Sequence, residues 1–428
     1  MSNRISHWLV GNPAQPLSIQ ESGAAIALLL IFAFSLNILP PNFSFTGMAE
    51  VTGDGSLFNQ AFWIGIFILS LWTLVNSKRT LSGVFFMALP LLMMCMYLLV
   101  SSLWSLAPAI SFRRSILELI VIVSILAIIS ALQTPSQVFI ILYRVAAITL
   151  MFESVMLLRT NGFDEAGFFR GIHTQKNVLG LVGAVAVLTG IWVRTSGVLI
   201  KTHWNAIYLL GWLSLLVLSQ SKTSLALILL APAIGLGLRK LARSFGVGVG
   251  APLLVLCAIA YSVFAVAFIA GVDVGRAISD WVHQVGFTGR DNIWDFLIAR
   301  FLERPWIGHG YGGFWDIGLD APNVRYGIGF ITQINQAHNG YLDLLLAVGV
   351  AGLVAYVGVV IGFIHCLSVA EHQSQNRTLA LCWVFFIFSL LHNITESTLL
   401  RGYSPVWVMQ LIAMAITYRM AHEAKGSR

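Results

Sequence analysis

Long apolar runs constrain the fold of this chain more than any other feature of its sequence. A helix needs about 20 apolar residues to cross the hydrocarbon core of a bilayer. Runs of that kind fall at 22–40, 60–76, 81–103, 116–132, 138–158, 178–194, 205–219, 223–238, 247–271, 340–369, 378–394 and 404–420. Gly, Pro or Ser interrupts several of them, which leaves the count at about twelve. The first run has no basic segment of consequence before it and no small-residue cleavage site behind it, so it reads as an anchor that stays.

Composition closes the other classes. Only 10% of the 428 residues are charged and 57% are hydrophobic, whereas soluble domains carry about 25% charged residues. So few ionic groups could not wet the surface of a soluble protein. High apolar content excludes disorder, and the glycines have no collagen period. The four cysteines, Cys95, Cys257, Cys366 and Cys382, all fall inside apolar runs without metal-ligand spacing and read as packing residues. No Walker A loop, dinucleotide glycine fingerprint or HExxH motif occurs. The expected fold class is all-α: a polytopic membrane protein with about 12 transmembrane helices. Residues 1–428 form a single membrane domain, with spans one to nine over 22–271, a long polar loop with short amphipathic helices over 272–339, and spans ten to twelve over 340–420.

Lys and Arg in short loops set the orientation. Twelve bases, Arg4, Lys78, Arg79, Arg194, Lys201, Arg239, Lys240, Arg243, Arg377, Arg419, Lys425 and Arg428, fall on the side that holds both termini, which makes that side cytoplasmic. Seven more, Arg113, Arg114, Arg159, Arg170, Lys176, Lys222 and Arg401, fall in short loops on the outer side. Topology disfavours these seven, so a basic outer vestibule facing an anionic ligand is the economical explanation. The plainer alternative pairs them with lipid headgroups or with acids such as Glu118 and Glu396. Arg144 and Glu153 lie nine residues apart within one run and read as structural groups.

Within the long loop, Ile293, Trp294, Leu297, Ile298 and Phe301 have the spacing of an amphipathic helix. A turn-rich run from Arg304 to Trp315 follows, with glycines beside tryptophans. Its aromatic rings suit sugar stacking and equally suit an interfacial belt. His338 stands at the outer mouth of the tenth run, where a neutral imidazole can accept a proton near pH 7; as a bare helix cap it would have no such role. Arg170, His173 and Lys176 crowd the start of the sixth run, and Lys222 opens the eighth between Ser221 and Thr223. Bases beside the unpaired N–H groups of a helix N-terminus make an anion site.

These residues, in this order, resemble the O-antigen ligase and polysaccharide polymerase superfamily. The resemblance runs over about residues 80–405 and rests on Arg170…Lys176–Asn177…Gly180, Ser221–Lys222–Thr223, Gly289–Arg290…Trp294, Pro305…Gly308–His309–Gly310 and His338–Asn339–Gly340. Lys176–Asn177, Ser221–Lys222–Thr223, Gly313–Phe314–Trp315 and Thr395–Glu396–Ser397 are most similar to the succinoglycan-type exopolysaccharide polymerases. The resemblance implies an inner-membrane glycosyltransferase acting on its periplasmic side. Its donor is a glycan on undecaprenyl diphosphate, its acceptor a second glycan, and it uses neither a cofactor nor a metal. Flippase and chain-length regulator proteins are its implied neighbours; nucleic acid is not a partner. Carried over by position, the family's outer-loop arginine matches Arg290, its essential histidine His338, and the arginine before the sixth span Arg170. Lys176, Lys222, His173, Asn339, Arg113, Arg114, Arg401 and Glu396 complete the expected substrate-binding set.

The chemistry fits that expectation. A departing prenyl diphosphate gains charge in the transition state, which fixed cations stabilise. Arginine grips phosphate oxygens bidentately, and lysine supplies a mobile point charge. His338 would take the proton of the acceptor hydroxyl, with Glu396 or Asp343 orienting it, and attack opposite the diphosphate inverts the anomeric centre. Polymerase and ligase share this donor chemistry and differ in acceptor. A secondary transporter also has about twelve spans, but usually carries ionisable groups near mid-membrane and internal repeats; here Arg144 is the basic residue well inside a span, and the halves show no repeat.

Overall fold

A computed structural model describes residues 18–38, 57–76, 82–198, 200–270, 290–373, 376–402 and 404–426. Arg4, Lys78, Arg79, Arg428, Gly289 and the start of the long polar loop lie outside them. Over their described residues, all twelve apolar runs are predominantly helical. In chain order these are α1 (Ile19–Ser35), α2 (Leu57–Val75), α3 (Ser82–Met87) with α4 (Leu89–Ser101), α5 (Pro108–Ala131), α6 (Ser136–Met156), α7 (Lys176–Thr195), α8 (Thr202–Leu218), α9 (Lys222–Ser244) and α10 (Gly250–Ile269). After the polar loop's α11 (Arg290–Glu303) and α12 (Pro322–Tyr326) come α13 (Gly340–Gln373), α14 (Arg377–Thr395) and α15 (Pro405–Gly426). Among the described residues seven helices are long and apolar enough to cross a membrane, and four shorter ones are also apolar. The chain is an all-α polytopic membrane protein. Helices suit that solvent because they satisfy their own backbone polar groups.

Local sequence explains several boundaries. Ser18 and Glu21 form a reciprocal capping box at the start of α1, and the Asn376 side chain accepts from Thr378 N–H at 2.8 Å to open α14. Pro108 sits at the first position of α5, where its missing N–H costs nothing. Pro90 divides the third run, so α3 stops short of it and α4 begins there.

α15 is the central helix. It is buried along most of its length and packs against α5, α13 and α14. At its far end Arg419 donates to the carbonyls of Ile129, Leu132 and Gln133, which closes the C-terminus of α5. Arg239 on α9 pairs with Glu371 on α13 at this same end. Arg194, Lys201, Lys240, Arg243, Arg377 and Lys425 stand at or near the matching ends of their helices. Among the described residues, eight of the twelve bases grouped by sequence thus stand at or near such helix ends.

α13 is broken where the polar loop enters it. Gly349 has φ +66°, a conformation costly for a side-chain-bearing residue, and a Cβ there would strike the backbone of Trp306. The opened turn bonds to the intruding chain instead of to itself. Val350 N–H donates to Pro305 O at 2.8 Å, Ala351 N–H to Trp306 O at 3.1 Å, and His309 N–H to Leu346 O at 2.8 Å. The turn-rich run over 304–316 is therefore fastened to a transmembrane helix. α11 buries Ile293 and Leu297 against Phe314, Ala337 and Leu346, as its apolar spacing requires.

Candidate active site

The polar end of the bundle gathers the N-termini of α7, α9 and α13 around the C-terminus of α14. Glu396, the residue that ends α14, is the hub. Its Oε2 lies 3.4 Å from His338 Nδ1. Its Oε1 accepts at 3.4 Å from both Arg290 Nη2 and Asn177 Nδ2. Arg290 Nη1 also donates to Thr395 O at 2.7 Å, so the guanidinium spans the end of α14. The Thr223 and Thr395 hydroxyls, 3.4 Å apart, bring the start of α9 and hence Lys222 beside the same corner. Burial pushes the Glu396 carboxyl upward, but the hydrogen bond with His338 and the Arg290 charge outweigh it and hold the group below its ordinary 4.5.

Local backbone aims the histidine. His338 has φ +51°, a left-handed conformation uncommon for a residue with a side chain. The neighbouring Asn339 does the capping: its Oδ1 accepts from Tyr341 and Leu342 N–H, both at 3.0 Å, and its amide donates to Ile394 O at 3.1 Å. Asn339, expected to bind substrate, is thus occupied as the α13 cap, and His338 is released from the capping role that would have explained it away. Of the two acids offered as its orienting partner, Glu396 holds the position. Asp343 faces elsewhere, accepting from Trp315 Nε1 at 2.8 Å and pairing with Arg401 Nη2 at 3.2 Å.

Two further expected site residues have partners within the protein. Arg114 was expected to bind substrate, yet its guanidinium donates to the carbonyls of Gly312, Trp315 and Asp316 and clamps the 312–316 turn. His173 is buried, with Nε2 3.0 Å from Glu153 Oε1 and Nδ1 3.1 Å from the Asn37 amide. Glu153, read from sequence together with Arg144, therefore has His173 as its partner, and the pair ties the loop before α7 to α6. Burial lowers the affinity of His309 for a proton below the ordinary 6.5, and its ring nitrogen Nε2 bonds Arg300 O at 3.0 Å, so it packs as a neutral structural imidazole.

The other bases divide by exposure. Lys222 is exposed at the first turn of α9, and Lys176, at the first turn of α7, lies with Nζ 3.3 Å from the Phe168 ring centroid. Arg170 Nη1 contacts Thr174 O at 3.5 Å, and Arg113 is half-buried on α5. Sequence reasoning gave no site role to Tyr311, nor to Asn177, which it quoted only within a motif. Tyr311 donates to Leu400 O at 2.6 Å and lies 3.2 Å from the buried Glu118 carboxylate, which also accepts from Trp407 Nε1 and Gly402 N–H. A tyrosine in a glycine-rich turn gives no local sign of a partner 193 positions away.

Two cavities open beside this cluster. One of about 340 Å3 is lined by Asn177, Gln336, Glu396 and Arg401 among others. The second, of about 460 Å3, is lined by Glu118, Tyr311, Trp315, Asp316 and Asn335. Arg401 and Ser404 border both. The arrangement supplies a carboxylate-held imidazole, helix N-termini carrying lysines, and two adjoining chambers, which are parts suited to transfer between two substrates.

Residues 206–357 match the family model described as O-antigen ligase. That stretch holds Lys222, Arg290 and His338. A curated relative, an O-antigen ligase of Pseudomonas aeruginosa, is 28% identical over 157 residues, 36% of this chain. The match spans about a third of that relative's length (35%). Both likenesses support membership of the O-antigen ligase and polymerase superfamily.

Proposed function

We propose that this chain, with its O-antigen ligase region over residues 206–357, is an inner-membrane glycosyltransferase. It polymerises undecaprenyl-diphosphate-linked repeat units into exopolysaccharide on the periplasmic side, by inversion and without a metal. The observation that carries this reading is the Glu396 carboxylate held between His338 and Arg290 at the lysine-bearing end of the bundle.

With Nδ1 directed at Glu396, the His338 imidazole leaves Nε2 to accept a proton. The acceptor hydroxyl oxygen attacks C1 of the donor sugar, and its proton passes to Nε2. The bond from C1 to the diphosphate oxygen breaks, and its electron pair leaves with the diphosphate. Glu396 stabilises the imidazolium while it lasts. Lys176, Lys222 and Arg170, at or before the N-termini of α7 and α9, meet the growing charge on the leaving group. Arg290 fixes the carboxylate and, through it, the ring. Under this reading the end holding Arg239, Arg377 and Arg419 is cytoplasmic.

The name of the Pseudomonas relative favours a second reading, in which finished glycan moves onto lipid A–core. One experiment separates the two. Deletion of the gene for a polymerase leaves single repeat units on the lipid carrier, and deletion of the gene for a ligase leaves long chains there. Long lipid-linked chains in the deletion strain would sink the polymerase reading.

A further inference from the structure

The 460 Å3 cavity is not needed by the donor chemistry above, and its lining differs from that of the catalytic corner. Its size falls within the roughly 300–1,000 Å3 of small-ligand sites. Three carboxylates, Glu118, Asp316 and Asp343, face it together with the Trp315 and Tyr311 rings. Most of these polar groups are already committed. Glu118 accepts from Trp407 and Gly402, and Asp343 from Trp315 and the Ala337 N–H. Two side chains make no hydrogen bond or ion pair among the described residues: the Asp316 carboxylate, which faces the Arg114 and Arg401 charges across the cavity, and the Asn335 amide.

The position of Asp316 is built. Its backbone sits at φ +54°, and Arg114 grips its carbonyl and two others in the turn. Asn335 opens the segment that runs on through Gln336, on the smaller cavity, to His338 on Glu396. A ligand held by Asp316 and Asn335 therefore lies in a chamber that shares Arg401 and Ser404 with the smaller one, and Asn335 is on the same segment as the proposed base.

We propose that this cavity is the subsite for a sugar ring of the acceptor glycan, with Asp316 and Asn335 binding its hydroxyls and Trp315 and Tyr311 lining its faces. A carboxylate accepts from two hydroxyls, and a carboxamide both donates and accepts, which is the pairing a polyol requires. The inference rests on the glycosyltransferase reading above and adds to it where the nucleophile is held.

The test uses the full-length protein in proteoliposomes, with lipid-linked repeat unit as donor and an octyl glycoside of the same repeat oligosaccharide as acceptor. The octyl glycoside has no diphosphate and can act only as acceptor. Asp316→Ala and Asn335→Ala each raise its KM roughly tenfold, the loss of one good hydrogen bond, while the donor KM stays within twofold. Asp316→Asn, which keeps the shape, lies between. Binding of the octyl glycoside alone, measured calorimetrically, weakens in parallel. Unchanged acceptor KM and unchanged binding in folded variants overturn the proposal, as does a rise confined to the donor KM. If wild-type protein forms no glycosidic bond yet binds the octyl glycoside through Asp316, the glycosyltransferase reading fails and the sugar subsite stands.

Discussion

His338 Nδ1 and Glu396 Oε2 meet at 3.4 Å across 58 positions of sequence, one at the start of α13 and the other at the end of α14. The backbone bond from Gly340 N–H to Glu396 O, 3.0 Å long, fastens the same two helix ends. The imidazole and carboxylate are thus held by main chain as well as by their own contact. At 3.4 Å the separation is long for a hydrogen bond.

His338→Asn is the informative replacement, because asparagine tolerates the left-handed backbone at this position but cannot act as a base. The variant should insert and fold like wild type and lose roughly 10²–10⁴-fold in turnover, the range for general base catalysis. Polymer formation in the complemented deletion strain, alongside purified-enzyme turnover, checks this. Wild-type chain length would remove His338 from the reaction.

Arg290→Lys keeps the charge and loses the fork. One nitrogen now serves Thr395 O and another Glu396 Oε1, and a single ammonium cannot reach both with that geometry. Turnover should fall at least tenfold with donor KM changed far less, because the carboxylate and ring lose their alignment. Equal kinetics for Arg and Lys would reduce Arg290 to a general electrostatic role.

Glu396 also predicts a response to acid. Its carboxyl titrates below the ordinary 4.5 in the folded protein, so its ionised form favours folding above that value. The contribution is lost as pH falls through the lower, folded value. Detergent-purified wild type should therefore lose thermal stability more steeply below about pH 4.5 than Glu396→Gln, which has no such proton to take up. Parallel melting curves would show that the corner is not coupled to folding.

Arg114 separates a structural role from a binding one. Its guanidinium serves three turn carbonyls, and a Cβ at Gly312, whose φ is +65°, would strike its side chain. Arg114→Lys should cost about 1 kcal/mol through half-buried carbonyls left unpaired, read as a lower melting temperature. Donor KM should stay near wild type. A large rise in donor KM at unchanged stability would restore Arg114 to the anion site.

Helices and polar end were legible in the sequence for one reason: in a chain with so few charges, each charge marks an end or a purpose. The apolar runs became helices, and Lys176, Lys222, Arg290, His338 and Glu396 came to one corner. Partner choice was not legible. Arg114 looks like Arg113 in sequence, and only the return of the 312–316 turn gives it three carbonyls to hold. Asn339 and His338 are adjacent polar residues at a helix start, and which one caps is settled by the backbone angle at 338. The broken α13 was hidden because Gly349 is one glycine among several in an apolar run. Its meaning depends on Trp306, which lies far away in sequence.

The pair of Glu153 and His173 carries the last prediction. Both side chains are wholly buried and lie 3.0 Å apart, while Ile172 N–H donates to Glu153 Oε2 at 3.3 Å and Asn37 contacts the other ring nitrogen. Removing one partner leaves the other buried without its counterpart, at about 3–5 kcal/mol. Glu153→Gln and His173→Asn should each lower the melting temperature and expose Arg170 to trypsin, because the loop before α7 loses its anchor. Glu153→Leu combined with His173→Leu should recover part of that stability, since two matched apolar groups leave no orphaned polar atom. Donor KM should rise in the single variants, as Arg170 and Lys176 lose their placement. A double variant no better than the worse single one would mean that the pair does more than satisfy itself, with the Ile172 and Asn37 contacts carrying the anchor.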